Sequence, residues 1–266
     1  MNDVAQQVVQ SPAEVYDEHF VPALFQQWGS IVTDVAGITQ GHRVLDVACG
    51  TGALTCAAAD RAGAAGHVTG LDPNEEMLEV ARRKDTRIEW QHGSAESLPF
   101  ADESFDRVVS QFGLMFFEDK PAALREAARV LRPGGRLAIA VCDALDHSPG
   151  YAVFAELLHR LFGADVAQAF RAPFSMGDRE ELLSLGSSAP IDDVRVQRHD
   201  GRVRFNSIGS LVSTERACVW TLGGVLSSGQ FEKLLRESEE SLQPFEVDDG
   251  TIEFLMPALI LTGDKP

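Results

Sequence analysis

This 266-residue chain has no stretch near the ~18–20 uninterrupted apolar residues of a membrane span, so no insertion into a bilayer is expected. Its first residues, Met1 to Gln7, hold neither a basic n-region nor an apolar h-region, so no secretory signal is expected either. Cysteine is sparse. The four present (Cys49, Cys56, Cys142 and Cys218) form no C-x-x-C pair and no zinc spacing. They read as reduced thiols, which points to a cytoplasmic protein. Basic residues number 23 against 40 acidic ones, a formal net charge of −17. A surface that acidic repels phosphate backbones and anionic membrane faces, so no nucleic acid is expected as a partner. The dense basic clusters, Arg82-Arg83-Lys84 and Arg195 through Arg204, are interleaved with acids or apolar residues and read as a solvated helix end and an exposed strand. Internal repeats and low-complexity linkers are absent, and the 44% hydrophobic content is enough for one substantial core.

What is present concentrates in Val44-Leu45-Asp46-Val47-Ala48-Cys49-Gly50-Thr51-Gly52. An apolar strand ends in an acid, breaks at two glycines, and is followed from Ala53 by good helix formers. That order gives a strand, a tight turn and a helix N-terminus, the geometry that cradles a nucleotide-like ligand. Gly50 and Gly52 supply the backbone freedom and the missing Cβ for close approach. A β-branched residue at Gly52 is therefore expected to fill the space a ligand needs. The dinucleotide pattern G-x-G-x-x-G is incomplete, because Thr55 occupies the third glycine position. About twenty positions further on, the strand His67-Val68-Thr69-Gly70-Leu71 ends in Asp72, placed to take two hydrogen bonds from a ribose diol.

Two more segments follow in order. One is Gly93-Ser94-Ala95-Glu96-Ser97-Leu98-Pro99-Phe100 with Ser104-Phe105-Asp106-Arg107-Val108-Val109-Ser110. The other is Val130-Leu131-Arg132-Pro133-Gly134-Gly135-Arg136-Leu137, running into Ala138-Ile139-Ala140-Val141. Together the four segments resemble the class I S-adenosylmethionine-dependent methyltransferases. Within them the chain is most similar to the small-molecule branch that includes the ubiquinone/menaquinone C-methyltransferases. The resemblance is dense from residue 40 to residue 143. It implies S-adenosyl-L-methionine as cofactor and methyl transfer to an oxygen or carbon of a small, partly apolar acceptor.

The resemblance also implies roles. Asp46 offsets the methionine ammonium, while Ala48, Gly50 and Gly52 shape the turn. Asp72, with Pro73 beside it, takes the ribose. Met77 lines the adenine pocket or packs in the core. Ser94 by its side chain and Ala95 by its N–H meet the adenine edge. Gln111, with Phe112, stands at the carboxyl edge of the sheet, and Tyr16 bonds the cofactor carboxylate. Ala48 replaces a glycine frequent in the family, a change that leaves the turn intact. Ser94 replaces a frequent aspartate and removes a charge.

Strands Arg43–Ala48, His67–Leu71, Ile88–His92, Phe105–Ser110 and Arg136–Cys142 alternate with helices starting near Ala53, Glu75 and Pro121, and with a weakly marked segment around Glu96. This predicts an α/β, Rossmann-like, mostly parallel sheet covered on both faces. Ser11-Pro12-Ala13-Glu14 caps an aromatic N-terminal helix. Phe154, Leu157, Leu158 and Leu161 mark an amphipathic helix ending at Gly163. Asp193–Arg204 and Thr251–Thr262 read as strands, and Leu211 to Leu242 as helix broken at Gly223-Gly224 and Gly229. The expected layout is an N-terminal helical lid (1–40), a cofactor-binding core (41–144), a helical cap (145–190), and two last strands (191–266) flanking a helical insertion (207–245). That makes seven strands, the last antiparallel.

No catalytic base announces itself, since proximity can supply much of the rate of an in-line displacement. His147 and His19 are the candidates for proton removal. No Asp, Glu and His cluster with ligand spacing follows the fourth or fifth strand, so no metal is expected. Two other readings share parts of the pattern: an NAD-dependent oxidoreductase, and a cofactor-binding module without methyl transfer. The missing third glycine and the Leu131-Arg132-Pro133-Gly134-Gly135 segment count against the first. The acceptor and the oligomeric state are not written in the sequence.

Overall fold

The computed structural model describes residues 11–247 and 249–266. Residues 1–10, including the Met1 to Gln7 segment and the start of the expected lid, lie outside the described residues. From Ser11 the chain is helical. The capping box closes as Ser11 accepts from the Glu14 N–H while the Glu14 carboxylate accepts from the Ser11 N–H. Helix α1 (Pro12–Val15) continues as a π-helical stretch, Tyr16–Phe25, and then as α2 (Gln26–Ala36). Pro22 inside the π stretch has no N–H to give the ladder. At the end of the stretch the Gln26 N–H reaches five residues back, to the Val21 carbonyl.

The core then alternates β1 (Arg43–Val47), α3 (Ala53–Ala62), β2 (His67–Asp72), α4 (Glu75–Lys84), β3 (Glu89–His92), β4 (Phe105–Gln111), α5 (Lys120–Val130) and β5 (Leu131–Cys142). After it come α6 (Pro149–Phe162), α7 (Ala164–Arg171), α8 (Arg179–Ser187), β6 (Asp192–His199), β7 (Arg202–Phe205), α9 (Ile208–Ala217), α10 (Ser228–Leu242), β8 (Ile252–Leu255) and β9 (Ala258–Asp264). Seven strands form one sheet in the order β3-β2-β1-β4-β5-β9-β6. Only β9 is antiparallel to its neighbours β5 and β6. The order reverses between β1 and β4, which places the switch point, and the ligand crevice, at their carboxyl ends.

Both sheet faces are buried, so the strands read as continuous apolar runs, yet successive residues still part to opposite sides. Val44, Val109 and Ala138 pack with Val32, Leu54 and Ala58 under α2 and α3. Leu45, Val108 and Ile139 pack on the other side with Leu124 and Ala128 of α5.

The structure differs from the expected elements in five places. No helix forms around Glu96, where Ser94 and Ser97 instead close a short bridged turn. The expected strand Asp193–Arg204 is two strands, because the chain bends at Gly201 around Trp28. Thr251–Thr262 is likewise two, broken before Pro257, which has no N–H for a ladder. The outer pieces β7 and β8 leave the main sheet and pair with each other. The long helix breaks at Cys218, before Gly223-Gly224, while Gly229 sits tolerated in the first turn of α10. Finally, α8 is no part of a cap: Gly186 lets it settle against Leu261 and Val194 of the sheet.

A Cβ on Gly201 would lie 2.2 Å from Cζ2 of the buried Trp28 ring. Gly201→Ala is expected to lower the unfolding free energy by ~1–3 kcal/mol, the range for overpacking. Urea denaturation reads it. An unchanged midpoint would mean that the bend does not depend on Trp28.

Candidate active site

A cavity of about 510 Å³ opens at the carboxyl ends of β1, β2 and β4 and is roofed by the N-terminal helix, α6 and α9. Its floor is acidic. Asp46 at the end of β1 is almost fully buried, and its Oδ2 accepts from Thr55 Oγ1 at 2.6 Å. Thr55, the residue that breaks the dinucleotide pattern, thus holds this carboxylate from the first turns of α3. Asp46 Oδ1 has no hydrogen-bond partner among the described residues. Burial, opposed by the Thr55 hydroxyl and reinforced by Asp72, pushes the Asp46 pKa up to about 7.

Asp72 stands beside it at the tip of β2. Its Oδ2 accepts from the Gly50 N–H and its Oδ1 from the Asn74 N–H, both at 2.8 Å. Burial raises its pKa, and the two N–H donors pull the other way. Each carboxylate oxygen keeps a second acceptor site. Among the described residues neither Asp46 nor Asp72 takes part in an ion pair.

The turn between β1 and α3 is built by strain and by missing side chains. Ala48 lies at φ 60° and Phe112, just after β4, at φ 56°. A left-handed conformation costs a non-glycine residue about 1–2 kcal/mol, and such positions gather at functional sites. At Gly50 (φ 53°) a Cβ would meet open space on the cavity side, so this glycine keeps the cradle clear. Gly52 is different. At φ 85° its missing Cβ faces Trp90, 2.5 Å from Cη2, and it does not line the cavity. The expectation that a side chain at Gly52 would fill the ligand's space is corrected: that space belongs to the Trp90 ring.

The structure brings Tyr16, Asp46, Ala48, Gly50, Asp72, Pro73, Met77, Ser94, Ala95 and Gln111 to the same cavity. Tyr16 stacks on Phe20 and Phe25 at centroid distances of 5.8 and 5.3 Å. Gln111 gives its amide N–H to the Phe25 carbonyl and leaves Oε1 without a partner. The Ser94 hydroxyl is committed to the Glu96 carboxylate. Glu96 itself lines the cavity and restores the negative charge that Ser94 lacks.

The two proposed bases do not reach the site. His147 is exposed, with Nδ1 2.9 Å from Oδ2 of Asp143, a carboxylate that also holds Arg198. It belongs to a surface ion-pair network and does not line the cavity. His19 is exposed on the outer face of the π-helical stretch and is likewise outside. In their place the roof contributes Tyr151 of α6 and Glu215 of α9, both buried in the cavity wall. The sequence carried a signal for each. Glu215 continues the apolar stripe Ile208, Leu211, Val212, and Tyr151 precedes Phe154 and Leu158, so both occupy core positions of their helices. Among the described residues no group of three or more His, Cys, Asp and Glu is placed to hold a metal ion, and no helix is long and apolar enough to cross a membrane.

The strand order, the glycine turn and the carboxylates at the tips of β1 and β2 define a class I S-adenosylmethionine-dependent methyltransferase. Residues 45–139 match the methyltransferase domain family. The demethylmenaquinone methyltransferase of Staphylococcus aureus is 34% identical over 221 residues, which cover 76% of this chain and 90% of that protein. Solved structures share the fold. The YcgJ protein of Bacillus subtilis has a TM-score of 0.59 at 23% identity, covering 90% of this chain and 98% of that one. Phosphoethanolamine N-methyltransferase 2 of Haemonchus contortus, solved with S-adenosyl-L-methionine, has a TM-score of 0.60 at 18% identity, covering 96% of this chain and 56% of that one. The chain belongs to the S-adenosylmethionine-dependent methyltransferase family and is an enzyme using that cofactor to methylate a small molecule.

Gly52→Val combines a left-handed backbone with a clash against Trp90. It is expected to destabilise the protein by ~1–3 kcal/mol or more, with Trp90→Ala recovering part of the loss in the double variant. Thermal unfolding of the three variants measures this. A Gly52→Val protein of normal stability that binds no cofactor would restore the ligand-space explanation.

Proposed function

We propose that the acidic floor of the cavity holds S-adenosyl-L-methionine and that the aromatic roof holds a compact, ring-bearing, mostly apolar acceptor methylated at oxygen or carbon. The observation that carries this reading is the unpartnered Asp46 Oδ1, a buried carboxyl oxygen of a cavity-lining residue with no donor among the described residues. Asp46 takes the methionine ammonium, whose charge offsets the cost of keeping that carboxylate ionised. Asp72 uses its remaining acceptor sites for the ribose diol. Gly50 lets the backbone come close, while Pro73 and Met77 bound the adenine with Ser94, Ala95 and Glu96. Gln111 and Tyr16 face the methionine end. When bound, S-adenosylmethionine supplies a methyl group on a positively charged sulfur. Aromatic rings of the roof exclude water from that group and orient the acceptor.

A dinucleotide fits this floor poorly, because its pyrophosphate would add negative charge beside Asp46 and Asp72. The curated relatives are named for a menaquinone precursor, which supports a ring-bearing acceptor. The net charge of −17 favours a free small molecule over nucleic acid. A cytoplasmic location fits four free thiols.

Incubation with methyl-labelled S-adenosylmethionine and a set of ring-bearing apolar acceptors tests the reading, and label recovered in a small product is the expected result. Asp72→Ala is expected to weaken cofactor binding by about 1.5–3 kcal/mol in isothermal titration, the range for hydrogen bonds involving a charged group. Binding of NAD and none of S-adenosylmethionine would contradict the proposal. Tight binding with no label transferred to any acceptor would favour a module that has lost turnover.

A further inference from the structure

The N-terminal wall of the cavity depends on an uncommon winding. Tyr16 and Phe25 stack at a centroid distance of 5.3 Å, and Phe20 packs on both, at 5.8 and 6.2 Å. All three line the cavity. In an α-helix, residues nine apart stand on opposite faces and about 13.5 Å apart along the axis. A π-helix closes i→i+5 bonds, so two of its turns span about nine residues and return Phe25 to the face of Tyr16. The π-helical stretch Tyr16–Phe25 is therefore what assembles this wall. Such winding is rare beyond a single turn, so contacts outside the stretch have to hold it.

Both ends are tied to the core. At the far end Gln111 donates to the Phe25 carbonyl, and the Gln27 side chain bonds the Arg202 backbone in both directions. At the near end the holds come from α4. Ala13 packs with Met77 and Val80. Arg83 meets Glu14 at 2.9 Å, and Lys84 pairs with Asp17 in the first turn of the π stretch. The basic run Arg82-Arg83-Lys84 is thus more than a solvated helix end, since only Arg82 pairs within its own helix, with Glu75. Met77 of α4 lines the same cavity, so these ion pairs join two elements that border one site.

We propose that Arg83 and Lys84 are positioning residues for the methyl donor: they latch the N-terminal stretch to α4 in its π winding, and the latch opens when the donor enters or leaves. The proposal rests on the methyl-transfer reading above and adds a gate to it. Tyr16 meets Trp220, in the loop after α9, edge-on at 5.6 Å. With that contact made, the stretch closes the cavity over the floor carboxylates, and moving it requires both ion pairs to part. Ion pairs near the surface are weak and are screened by salt. They suit a contact that breaks in every turnover, and they show in the rate of release more than in the stability of the fold.

The test follows release of S-adenosylhomocysteine from the full chain by stopped-flow tryptophan fluorescence, with Trp220 lining the cavity as reporter. Release from Arg83→Gln/Lys84→Gln should be about tenfold faster than from the wild type, while the urea midpoint stays nearly unchanged. Raising sodium chloride from about 0.1 M to about 1 M, which shortens the screening length from about 10 Å to about 3 Å, should speed release from the wild type and not from this variant. Arg83→Lys/Lys84→Arg keeps both charges and should restore the wild-type rate. The chain has two tyrosines, Tyr16 and Tyr151, so 3-fluorotyrosine labelling gives one resonance for each. Without ligand, the double Gln variant should shift the Tyr16 resonance and leave that of Tyr151 in place. Equal release rates in the wild type and the double Gln variant, or an unmoved Tyr16 resonance, overturn the proposal. Salt-independent release from the wild type overturns it without any variant. Failure of the wild type to bind S-adenosylhomocysteine would instead refute the methyl-donor reading beneath it.

Discussion

Two carboxylates held out of water at neighbouring strand tips govern the carboxyl edge of this sheet. The parallel register sets Asp46 opposite Gly70, so β1 and β2 deliver Asp46 and Asp72 to the same crevice. Neither acid meets a protein cation there among the described residues, and each is held by neutral donors: the Thr55 hydroxyl for one, the Gly50 and Asn74 N–H groups for the other. The Asp72 bond to Gly50 is also what pins the turn before α3. Ala48 and Phe112, both left-handed, line the same cavity, while the Trp90 ring packs outside it against Gly52 and Gly70.

Such a floor makes stability depend on pH in a stated direction. Burial raises the folded pKa of Asp46 from the ordinary carboxylate value of 3.8 to about 7. The folded state therefore holds a proton that the unfolded chain has lost, across the range between those two values. The stabilisation is complete below about pH 4 and is lost as pH rises through about 7. A cation bound at Oδ1 reverses the balance, because it favours the ionised form. Above it, the roof is mostly aromatic and aliphatic, with Tyr16, Tyr151, Glu215 and Thr221 among its few polar side chains. One cavity thus has a charged end that suits a cation and an apolar end that suits a ring.

The first five strands and the floor residues were legible because they obey local rules. Apolar runs ended in an acid, glycines marked the turn, and the order of segments repeated a known family pattern. Gly52 was legible as a necessary glycine, but its reason was not, since Trp90 is about forty positions away in sequence and only the parallel pairing of β2 with β3 brings it near. His147 and His19 drew attention as titratable side chains close to predicted site elements, yet exposure and a partner such as Asp143 are tertiary facts. Glu215 went unread for the opposite reason. It is an acid on the apolar face of α9, with Ile208, Leu211 and Val212. The split into β7 and β8 was signalled by Gly201 and Pro257, but the need to bend around Trp28 was not.

The central proposal is that Asp46, whose pKa burial raises to about 7 and whose Oδ1 has no partner among the described residues, meets the ammonium of the methyl donor. Isothermal titration of S-adenosylmethionine near pH 6.5, in buffers of differing ionisation enthalpy, measures the protons exchanged on binding. At that pH an α-amino group with an ordinary pKa of about 7.7–8.0 is already charged, so any proton lost comes from the protein. The account predicts net proton release on binding, and loss of that release in Asp46→Asn. Binding with no proton released, or release that persists undiminished in Asp46→Asn, would contradict it.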